Sequence, residues 1–304
     1  MLKPAALSAL RAALGQQVQE NVLLAPYTSA RIGGPADLLV TVRSADELAR
    51  AVEICWQTGQ TYLVLGAGSN VLVSDQGMRG VVILNRARTV EFIEGAKKHV
   101  WAESGAILSN VARRAAAQGL SGLEWAVTVP GTVGGAVYGN AGAFGGDIAH
   151  DLLEVELLTP EGREWWPPHR MEYGYRTSIL KRGQIRAVVL SARLNLKYGL
   201  ANEIQAKIEQ FTSRRKNTQP PGASMGSMFK NPPGDYAGRL IEAAGLKGMR
   251  IGNAEISTIH ANFFLNTGET RATDLKALID LAQKTVLEKF GIKLELEVEL
   301  VGEW

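Results

Sequence analysis

The stretch PGTVGGAVYGNAGAFGG, which runs from Pro130 to Gly146, decides how the fold of this sequence is interpreted. It holds seven glycines in seventeen residues, and each glycine costs additional conformational entropy on folding, so this density requires a physical reason. Close approach to a bulky polyanion is one reason, because amides without neighbouring side chains reach phosphate oxygens. Val137, Tyr138 and Phe144 are interleaved with the glycines and favour a packed segment over a flexible linker. A sharply bent crossing of the core without a ligand is the alternative.

A second glycine-rich segment, GAGSN at Gly66–Asn70, follows the short apolar run Tyr62–Leu65. The dinucleotide fingerprint GxGxxG would carry a third glycine and open a helix here. This sequence has Val71 in that position, and Val71–Val73 prefers a strand. We therefore predict a strand–loop–strand turn whose backbone amides form an anion-binding nest, with two polar side chains adding hydrogen bonds. A tight turn without a ligand is the alternative.

The bulk composition describes a globular chain with no strong charge. The 304 residues suffice for about two domains. A hydrophobic fraction of 46 % allows cores to form, and a net charge of +3 is too small to indicate nucleic acid as a partner. No apolar run reaches the ~18 residues of a membrane span, and the helical repeat within Met1–Leu14 favours an amphipathic helix over a secretion signal.

Cysteine and histidine usage argues against a metal site. Cys55 is the only cysteine, so a reducing compartment is expected, and its setting beside Trp56 in a predicted helix favours core packing over a redox role. The histidines share no ligand spacing such as i, i+4; they are His99, His150, His169 and His260. We therefore predict a cytoplasmic monomer without a metal, a membrane or a nucleic-acid partner.

Hydrophobic periodicity predicts alternating strands and helices. Ser44 and Glu47 form a capping box that opens a helix, and Gly59 ends this helix. The predicted strands are Ala36–Val42, Tyr62–Leu65, Val71–Val73, Val81–Leu84, Val90–Ile93, His99–Glu103, Leu152–Leu158, Arg163–Trp166, Ala187–Leu196 and Ile292–Leu300, with a turn at Gly95–Lys98. Further helices are predicted near Ala106–Ala117, Tyr236–Ala244 and Thr273–Phe290, and around Ile204, Ile208 and Phe211, where the basic run Arg214–Lys216 is interpreted as a solvated helix end.

Six segments carry a resemblance to a known family. They are Tyr27–Gly34, Gly66–Asn70, Pro130–Gly135, Tyr175–Ser178, Gly226–Pro232 and Glu297–Glu303. In this order they closely resemble the UDP-N-acetylenolpyruvoylglucosamine reductase (MurB) family, and the likeness runs from about residue 21 to residue 303. The distance of about fifty residues between Arg176 and Ser227 resembles the shorter of the family's two types, which lacks an inserted loop with a substrate-capping tyrosine.

The resemblance implies an α+β fold of the FAD-linked oxidase (PCMH) type. Two FAD-binding subdomains are expected at residues 1–86 and 87–197, and a substrate-binding α+β domain at residues 198–304, whose C-terminal strand returns to the active site. The resemblance also implies the reaction. NADPH reduces FAD, and the reduced flavin passes hydride to the enolpyruvyl double bond of UDP-N-acetylglucosamine-enolpyruvate. The product is UDP-N-acetylmuramate, a precursor of bacterial peptidoglycan.

Three residues are the catalytic candidates that the resemblance selects. Hydride addition leaves negative charge on the adjacent carbon and its carboxylate, so the site must stabilise an enolate and then protonate carbon. Arg176 offers a planar guanidinium fork for the carboxylate, and Ser227 offers a hydroxyl proton to a strongly basic enolate. Glu297 is expected as an orienter or assisting acid, which would need a raised pKa. Without the resemblance, a salt bridge, a turn serine and a solvated strand face shared with Glu295 and Glu299 are the alternatives.

The resemblance extends the site to binding residues. Those expected at FAD are Gly66, Ala67, Gly68, Ser69, Asn70, Val71, Pro130, Gly131, Gly134, Gly135, Asn140 and Ala141, and those expected at the substrate are Tyr175, Lys230 and Asn231. For Lys230 and Asn231, a capped turn before Pro232 is the alternative. A flavin oxidase of the same fold with another substrate and a non-catalytic nucleotide-binding module are the competing functions. Neither glycine segment contains a histidine or cysteine, which argues against covalent flavin attachment.

Overall fold

The computed structural model describes residues 2–95 and 98–304. Its helices are α1 (Pro4–Leu14), α2 (Ala45–Gln57), α3 (Leu108–Ala117), α4 (Val133–Gly139), α5 (Ile148–Asp151), α6 (Ala201–Thr218), α7 (Ala237–Ala243) and α8 (Ala272–Phe290). Its strands are β1 (Val18–Leu23), β2 (Pro35–Val42), β3 (Tyr62–Leu65), β4 (Val71–Val73), β5 (Met78–Asn85), β6 (Val90–Ile93), β7 (His99–Glu103), β8 (Leu120–Ser121), β9 (Gly142–Ala143), β10 (Gly146–Asp147), β11 (Leu152–Thr159), β12 (Gly162–Trp166), β13 (Val188–Asn195), β14 (Lys197–Tyr198), β15 (Ala223–Ser227), β16 (Arg250–Ile251), β17 (Ala254–Ile256), β18 (Phe263–Asn266) and β19 (Glu299–Val301). Met1 of the expected N-terminal helix, and Ala96 and Lys97 of the expected turn, lie outside the described residues.

The first sheet has the strand order β1-β2-β5-β3, with β2, β5 and β3 parallel and β1 antiparallel at the edge. Helix α2 begins as predicted, because the Ser44 hydroxyl accepts from the Glu47 amide at 3.1 Å. The capping box is half formed, since the Glu47 carboxylate accepts from the Arg43 amide and not from that of Ser44. Cys55 lies on the buried face of α2, and burial raises its pKa to about 12, which agrees with a packing role.

The second sheet is antiparallel and has the order β12-β11-β13-β7-β6. Its core is continuous with that of the first sheet, because Leu190 of β13 packs in the same cluster as α1 and α2. Glu103 at the end of β7 is buried and accepts from the amides of Ala45 and Thr89 at 2.7 and 2.8 Å. This carboxylate therefore fastens the second sheet to the start of α2.

The third sheet has the order β15-β18-β17-β16 and packs with α7 and α8 around a separate core. Two contacts join this C-terminal part of the chain to the residues that follow the first glycine segment. The Asp75 carboxylate, just beyond β4, accepts from the amides of Ala272 and Thr273 at the start of α8, at 2.7 and 3.0 Å. Strand β19 pairs in parallel with β4, with Glu299 opposite Val71.

The glycine-rich stretch is partly helical, which its sequence does not predict. Helix α4 and the hairpin β9–β10 occupy much of Pro130–Gly146. Glycine has a low helix propensity, but the Thr132 hydroxyl accepts from the Gly135 amide at 3.4 Å, and Val133 and Val137 are fully buried. Capping and tertiary packing therefore override the local preference. The predicted packing of the interleaved apolar residues is confirmed.

The strand predicted over Ile292–Leu300 is wrong for most of its length, because β19 covers only Glu299–Val301. The segment before β19 crosses the chain that follows β15 and makes one isolated bridge there, between Phe229 and Leu296. The alternating pattern reflects burial of apolar side chains such as that of Leu294 against the third core and not a continuous ladder. An irregular extended segment produces the same alternation as a strand.

Candidate active site

The two glycine segments lie against each other. A Cβ atom on Gly66 would lie 2.5 Å from the Thr132 Oγ1, and one on Gly131 would lie 2.9 Å from the Ser69 Oγ. Side chains at Gly66 and Gly131 would therefore force the two segments apart. Gly131 also has a φ of +110°, in a region that residues with side chains rarely adopt.

Several backbone amides at this junction have no acceptor. Among the described residues, the N–H groups of residues 67–70 and of residues 131–132 donate no hydrogen bond to protein. The amides of the two residues that follow are hydrogen-bonded within the protein. Those of Val133 and Gly134 donate to the carbonyls of Ala106 and Ser104, each at 2.8 Å. The hydroxyl of Thr128, two residues before Pro130, is also buried without a partner in the described part of the chain. Unpaired donors on half-buried residues favour a bound anion, so the residues fit the phosphates of a nucleotide.

A cavity of about 570 Å³ adjoins these amides. It is lined on one side by Ser69 and Pro130, and on the other by the end of α6 and by β15. Arg215 of α6 lines it and forms no ion pair with any described residue, and burial lowers its pKa. The interpretation of the basic run as a solvated helix end is therefore wrong for Arg215. A half-buried cation beside amides that have no protein acceptor strengthens the preference for an anion.

Arg176 and Glu297 form a partly buried ion pair. The Arg176 Nε donates to the Glu297 Oε1 at 2.8 Å, and the Arg176 Nη2 donates to the Gly142 carbonyl at the same distance. Arg176 has a φ of +56°, a strained conformation for a residue with a side chain. The second glycine segment therefore fixes the guanidinium through β9. Its counter-ion, Glu297, comes from the C-terminal segment, which is residues 292–301 and ends in β19.

Glu297 is buried by contacts from three parts of the chain. Its side chain is 18 % exposed, whereas that of Glu295 is 71 % exposed, so the solvated-face interpretation is wrong for Glu297. Its amide donates to the Met228 carbonyl at 2.9 Å, and its carbonyl accepts from the Asn70 Nδ2 at 3.0 Å. Burial raises the pKa of Glu297, and Arg176, Lys181 and Lys230 oppose that rise through their positive charges.

Ser227 ends β15 next to this pair. It follows Gly226, which has a φ of +78°, and it precedes Met228, whose carbonyl accepts from the Glu297 amide. No described residue hydrogen-bonds to the Ser227 hydroxyl, which is therefore free to act on a ligand. The three catalytic candidates thus come from three separate segments, and those of Arg176 and Ser227 both contact the segment that carries Glu297.

The expected substrate-binding residues lie at the mouth of this site. The Tyr175 hydroxyl accepts from the Asn231 amide at 3.5 Å, and the Tyr175 ring is 54 % exposed. The Asn231 Oδ1 accepts from the Ala237 amide at 3.1 Å, so its oxygen supports the start of α7 while its NH₂ group can donate to a ligand. The Lys230 Nζ lies 3.5 Å from the Glu295 carboxylate.

Asn140 and Ala141 of the expected FAD set have structural partners. Asn140 ends α4 with a φ of +47°, and its side chain donates to the Gly174 carbonyl at 3.0 Å and accepts from the Ala149 amide at 2.9 Å. The Ala141 amide donates to the Ala136 carbonyl. These residues therefore hold the second glycine segment beside the turn that carries Arg176.

Two residues near the site were not predicted from sequence. Lys181 lies five positions after Arg176 and contacts the C-terminal segment. Tyr138 of α4 faces Glu299, and burial together with the negative charge of Glu299 raises its pKa to about 12. The only available signal for Lys181 was its position just after the Tyr175–Ser178 motif, since a lone lysine has no diagnostic spacing.

Within residues 2–95 and 98–304, no helix has the length and apolarity that a membrane crossing requires. The same residues include no group of three or more His, Cys, Asp or Glu side chains able to hold a metal ion. Residues 36–166 match the family model of an FAD binding domain. The amides without a protein acceptor lie within that matched region, so the molecule is an FAD-binding flavoprotein.

Further comparisons identify its family. Residues 217–301 match the model for the C-terminal domain of UDP-N-acetylenolpyruvoylglucosamine reductase. The reductase of that name from Chloroflexus aurantiacus is 44 % identical over 284 residues, covering 91 % of this chain and 95 % of the relative. The one from Halalkalibacterium halodurans is 40 % identical and covers 97 % of each chain. The crystal structure of UDP-N-acetylenolpyruvylglucosamine reductase (MurB) from Thermus caldophilus matches with a TM-score of 0.80 at 40 % identity, covering 93 % of this chain and 98 % of that chain. The chain belongs to the UDP-N-acetylenolpyruvoylglucosamine reductase family, and the predicted α+β FAD-binding fold is confirmed.

Proposed function

We propose that this chain is a UDP-N-acetylmuramate dehydrogenase. It reduces the enolpyruvyl double bond of UDP-N-acetylglucosamine-enolpyruvate, with FAD as the resident cofactor and NADPH as the co-substrate. The product, UDP-N-acetylmuramate, is a peptidoglycan precursor. The observation that carries the proposal is the partly buried pair of Arg176 and Glu297, which contacts the segment bearing the free Ser227 hydroxyl.

The amides of the two glycine segments are the proposed holders of FAD. The N–H groups of residues 67–70 and 131–132 are the free donors and suit its diphosphate. Gly134 and Gly135 contribute through the absence of side chains, because their amides already have acceptors. Arg215 supplies a positive charge at the adjoining cavity. When bound, the flavin supplies the hydride and is replenished by NADPH.

Arg176 is the proposed binder of the enolpyruvyl carboxylate. A guanidinium has five N–H groups, and those on Nε and Nη2 include the donors to Glu297 and Gly142. The remaining N–H groups form a cationic site for a carboxylate, and their interaction strengthens as negative charge develops on the enolate. The two protein contacts keep the guanidinium from rotating, so the ligand loses little free energy in ordering it.

Ser227 is the proposed proton donor, and Glu297 is the proposed orienter or assisting acid. An enolate is basic enough to accept a hydroxyl proton at carbon. Because its pKa is raised, Glu297 is neutral more often than an exposed carboxyl group is. A neutral carboxyl group does not repel the negative charge that develops on the enolate. Tyr175, Lys230 and Asn231 are proposed to hold the sugar nucleotide at the mouth of the site.

The visible spectrum of the purified protein tests this function. The protein should be yellow, lose its colour anaerobically with NADPH, and recover it when UDP-N-acetylglucosamine-enolpyruvate is added. Bleaching without recovery by this substrate would indicate a flavin oxidoreductase with another substrate. A colourless protein that binds no FAD on titration would instead favour a nucleotide-binding module.

We also propose the finer organisation of the molecule. Residues 1–86 and 87–197 are the two FAD-binding subdomains and residues 198–304 are the substrate-binding domain, since each range contains one of the three larger sheets. The stretch between Arg176 and Ser227 contains β13, β14, α6 and the start of β15 and is only about fifty residues long, which favours the shorter type of the family. The protein acts as a cytoplasmic monomer, which light scattering after size-exclusion chromatography and cell fractionation would test.

A further inference from the structure

The side chain of Lys181 reaches the segment that carries Glu297. Its Nζ donates to the Glu297 carbonyl at 3.3 Å and lies 3.5 Å from the Glu299 Oε1. The side chain is only 15 % exposed. An ammonium group leaves water at a high cost unless acceptors and counter-charge replace its hydration, and here both come from one short stretch of the C-terminal segment.

The backbone of Lys181 is fixed to the second glycine segment. Its amide donates to the Ser178 hydroxyl at 3.2 Å, and that hydroxyl donates to the Tyr138 carbonyl at 2.6 Å. Ser178 is fully buried. Lys181 is therefore anchored at both ends, to α4 through Ser178 and to the C-terminal segment through its ammonium.

The Glu297 carbonyl is held from two sides. Asn70 of the first glycine segment donates to it at 3.0 Å through its side chain, and the Asn70 carbonyl accepts from the Glu299 amide at 3.0 Å. Lys181 provides the second donor to the same oxygen. These contacts set the rotation of the peptide from which the Glu297 side chain extends.

Several charged and titratable groups face this carboxylate. They are Arg176, Lys181 and Lys230, with Glu295 and Glu299 on its own segment and Tyr138 against Glu299. Burial raises the pKa of Glu297, and the three cations oppose that rise. Loss of the Lys181 charge would therefore leave the pKa of Glu297 higher still.

We propose that Lys181 is a positioning residue for the reaction, which holds the Glu297 peptide in register with Arg176 and sets the charge environment of the Glu297 carboxyl. This inference rests on the proposed function of Glu297. Lys181 itself contacts protein groups and acts on the reaction through Glu297.

Lys181→Met tests the proposal through the pH profile of kcat. We expect kcat to fall roughly 10- to 100-fold through misplacement of Glu297. The limb of the profile that reports the pKa of Glu297 should also move to higher pH, because loss of the Lys181 charge raises that pKa. The direction is the same whether the reaction requires the neutral or the charged form of Glu297. Lys181→Arg should return the limb towards its wild-type position. Arg182→Gln is the matched control, since Arg182 lies in the same turn but its side chain hydrogen-bonds only to Glu172 and Gln184 within the described residues.

Glu297→Gln, measured in parallel, separates two failures. If this variant keeps wild-type kcat and both limbs, the proposed role of Glu297 is wrong. Suppose instead that Glu297→Gln loses a limb. The role of Lys181 alone is then overturned if Lys181→Met keeps wild-type kcat, or if Lys181→Met lowers kcat without moving that limb. Bound FAD, measured by absorbance, verifies that each variant is folded. If Lys181→Met does not fold, Lys181→Gln removes the charge while keeping a polar side chain and should move the limb in the same direction.

Discussion

At the scale of single residues, Ser227 offers the sharpest test of the proposed chemistry. Ser227→Ala removes the proton donor, and we expect kcat to fall by about 10²- to 10⁴-fold. Bleaching by NADPH should persist, because the hydroxyl has no bond to any described residue that its removal would break. Rapid mixing that follows the two half-reactions separately would measure this difference.

Ser213→Ala on the exposed surface of α6 is the control and should leave both half-reactions unchanged. An unchanged rate of colour recovery in Ser227→Ala would assign proton delivery to another group.

Individual residues also show the limits of a sequence interpretation. Arg176, Ser227 and Glu297 were all identified through the family resemblance, and without it their local patterns indicate a salt bridge, a turn serine and a solvated strand face. The sequence around Arg215 shows a basic helix end, which is typical of solvated helices. Its burial beside a cavity depends on β15 and the glycine segments, which no local pattern relates to α6.

At the scale of elements, the contact between the two glycine segments predicts different effects for two similar substitutions. Gly66→Ala brings a Cβ to 2.5 Å from the Thr132 Oγ1, so Thr132 must move and its cap on α4 weakens. We expect a loss of about 1–3 kcal/mol in the free energy of unfolding, together with weaker FAD binding. Urea unfolding of the apoprotein and fluorescence titration with FAD measure the two effects.

Gly139→Ala in α4 is the matched control. Its Cβ would meet no atom within 4 Å, and its position is helical, so we expect a gain of roughly 0.5–1 kcal/mol. Equal effects of the two substitutions would show that the close approach at Gly66 does not matter.

Elements with a strong local signal were predicted within one or two residues. Helix α2 and the strand pair β6 and β7 carry caps, periodicity or alternation of their own. Helix α4 was missed because its sequence is poor in helix formers and its stability comes from Thr132 and buried valines. β19 was overextended because Leu294 and Val298 alternate for burial and not for strand pairing. Tertiary contacts determine the structure of both α4 and β19, and hydrophobic periodicity in the sequence does not reveal such contacts.

At the scale of the whole molecule, FAD binding and folding stability are linked. At a concentration about 100 times its Kd, FAD should stabilise the folded protein by about 2.7 kcal/mol. Arg215→Gln should weaken FAD binding about tenfold and so lower this gain by about 1.4 kcal/mol. The apoprotein should unfold at an unchanged or slightly higher temperature, because Arg215 has no ion-pair partner among the described residues.

Thermal unfolding with and without FAD measures these quantities. Lys207→Gln is the control, since Lys207 is an exposed cation of the same helix and does not line the cavity. An equal stabilisation of wild type and Arg215→Gln by FAD would mean that the charge of Arg215 serves another ligand.

The hydrogen bond between Asn70 and Glu297 joins residues that are 227 positions apart in the chain. During synthesis, the ribosome releases the first glycine segment long before it releases Glu297 and β19. A nascent chain can therefore complete both glycine segments while β4 still lacks its parallel partner and Arg176 lacks its counter-ion. Cofactor loading can precede catalytic competence, and the glutamate side chain enters the site among the last steps of folding.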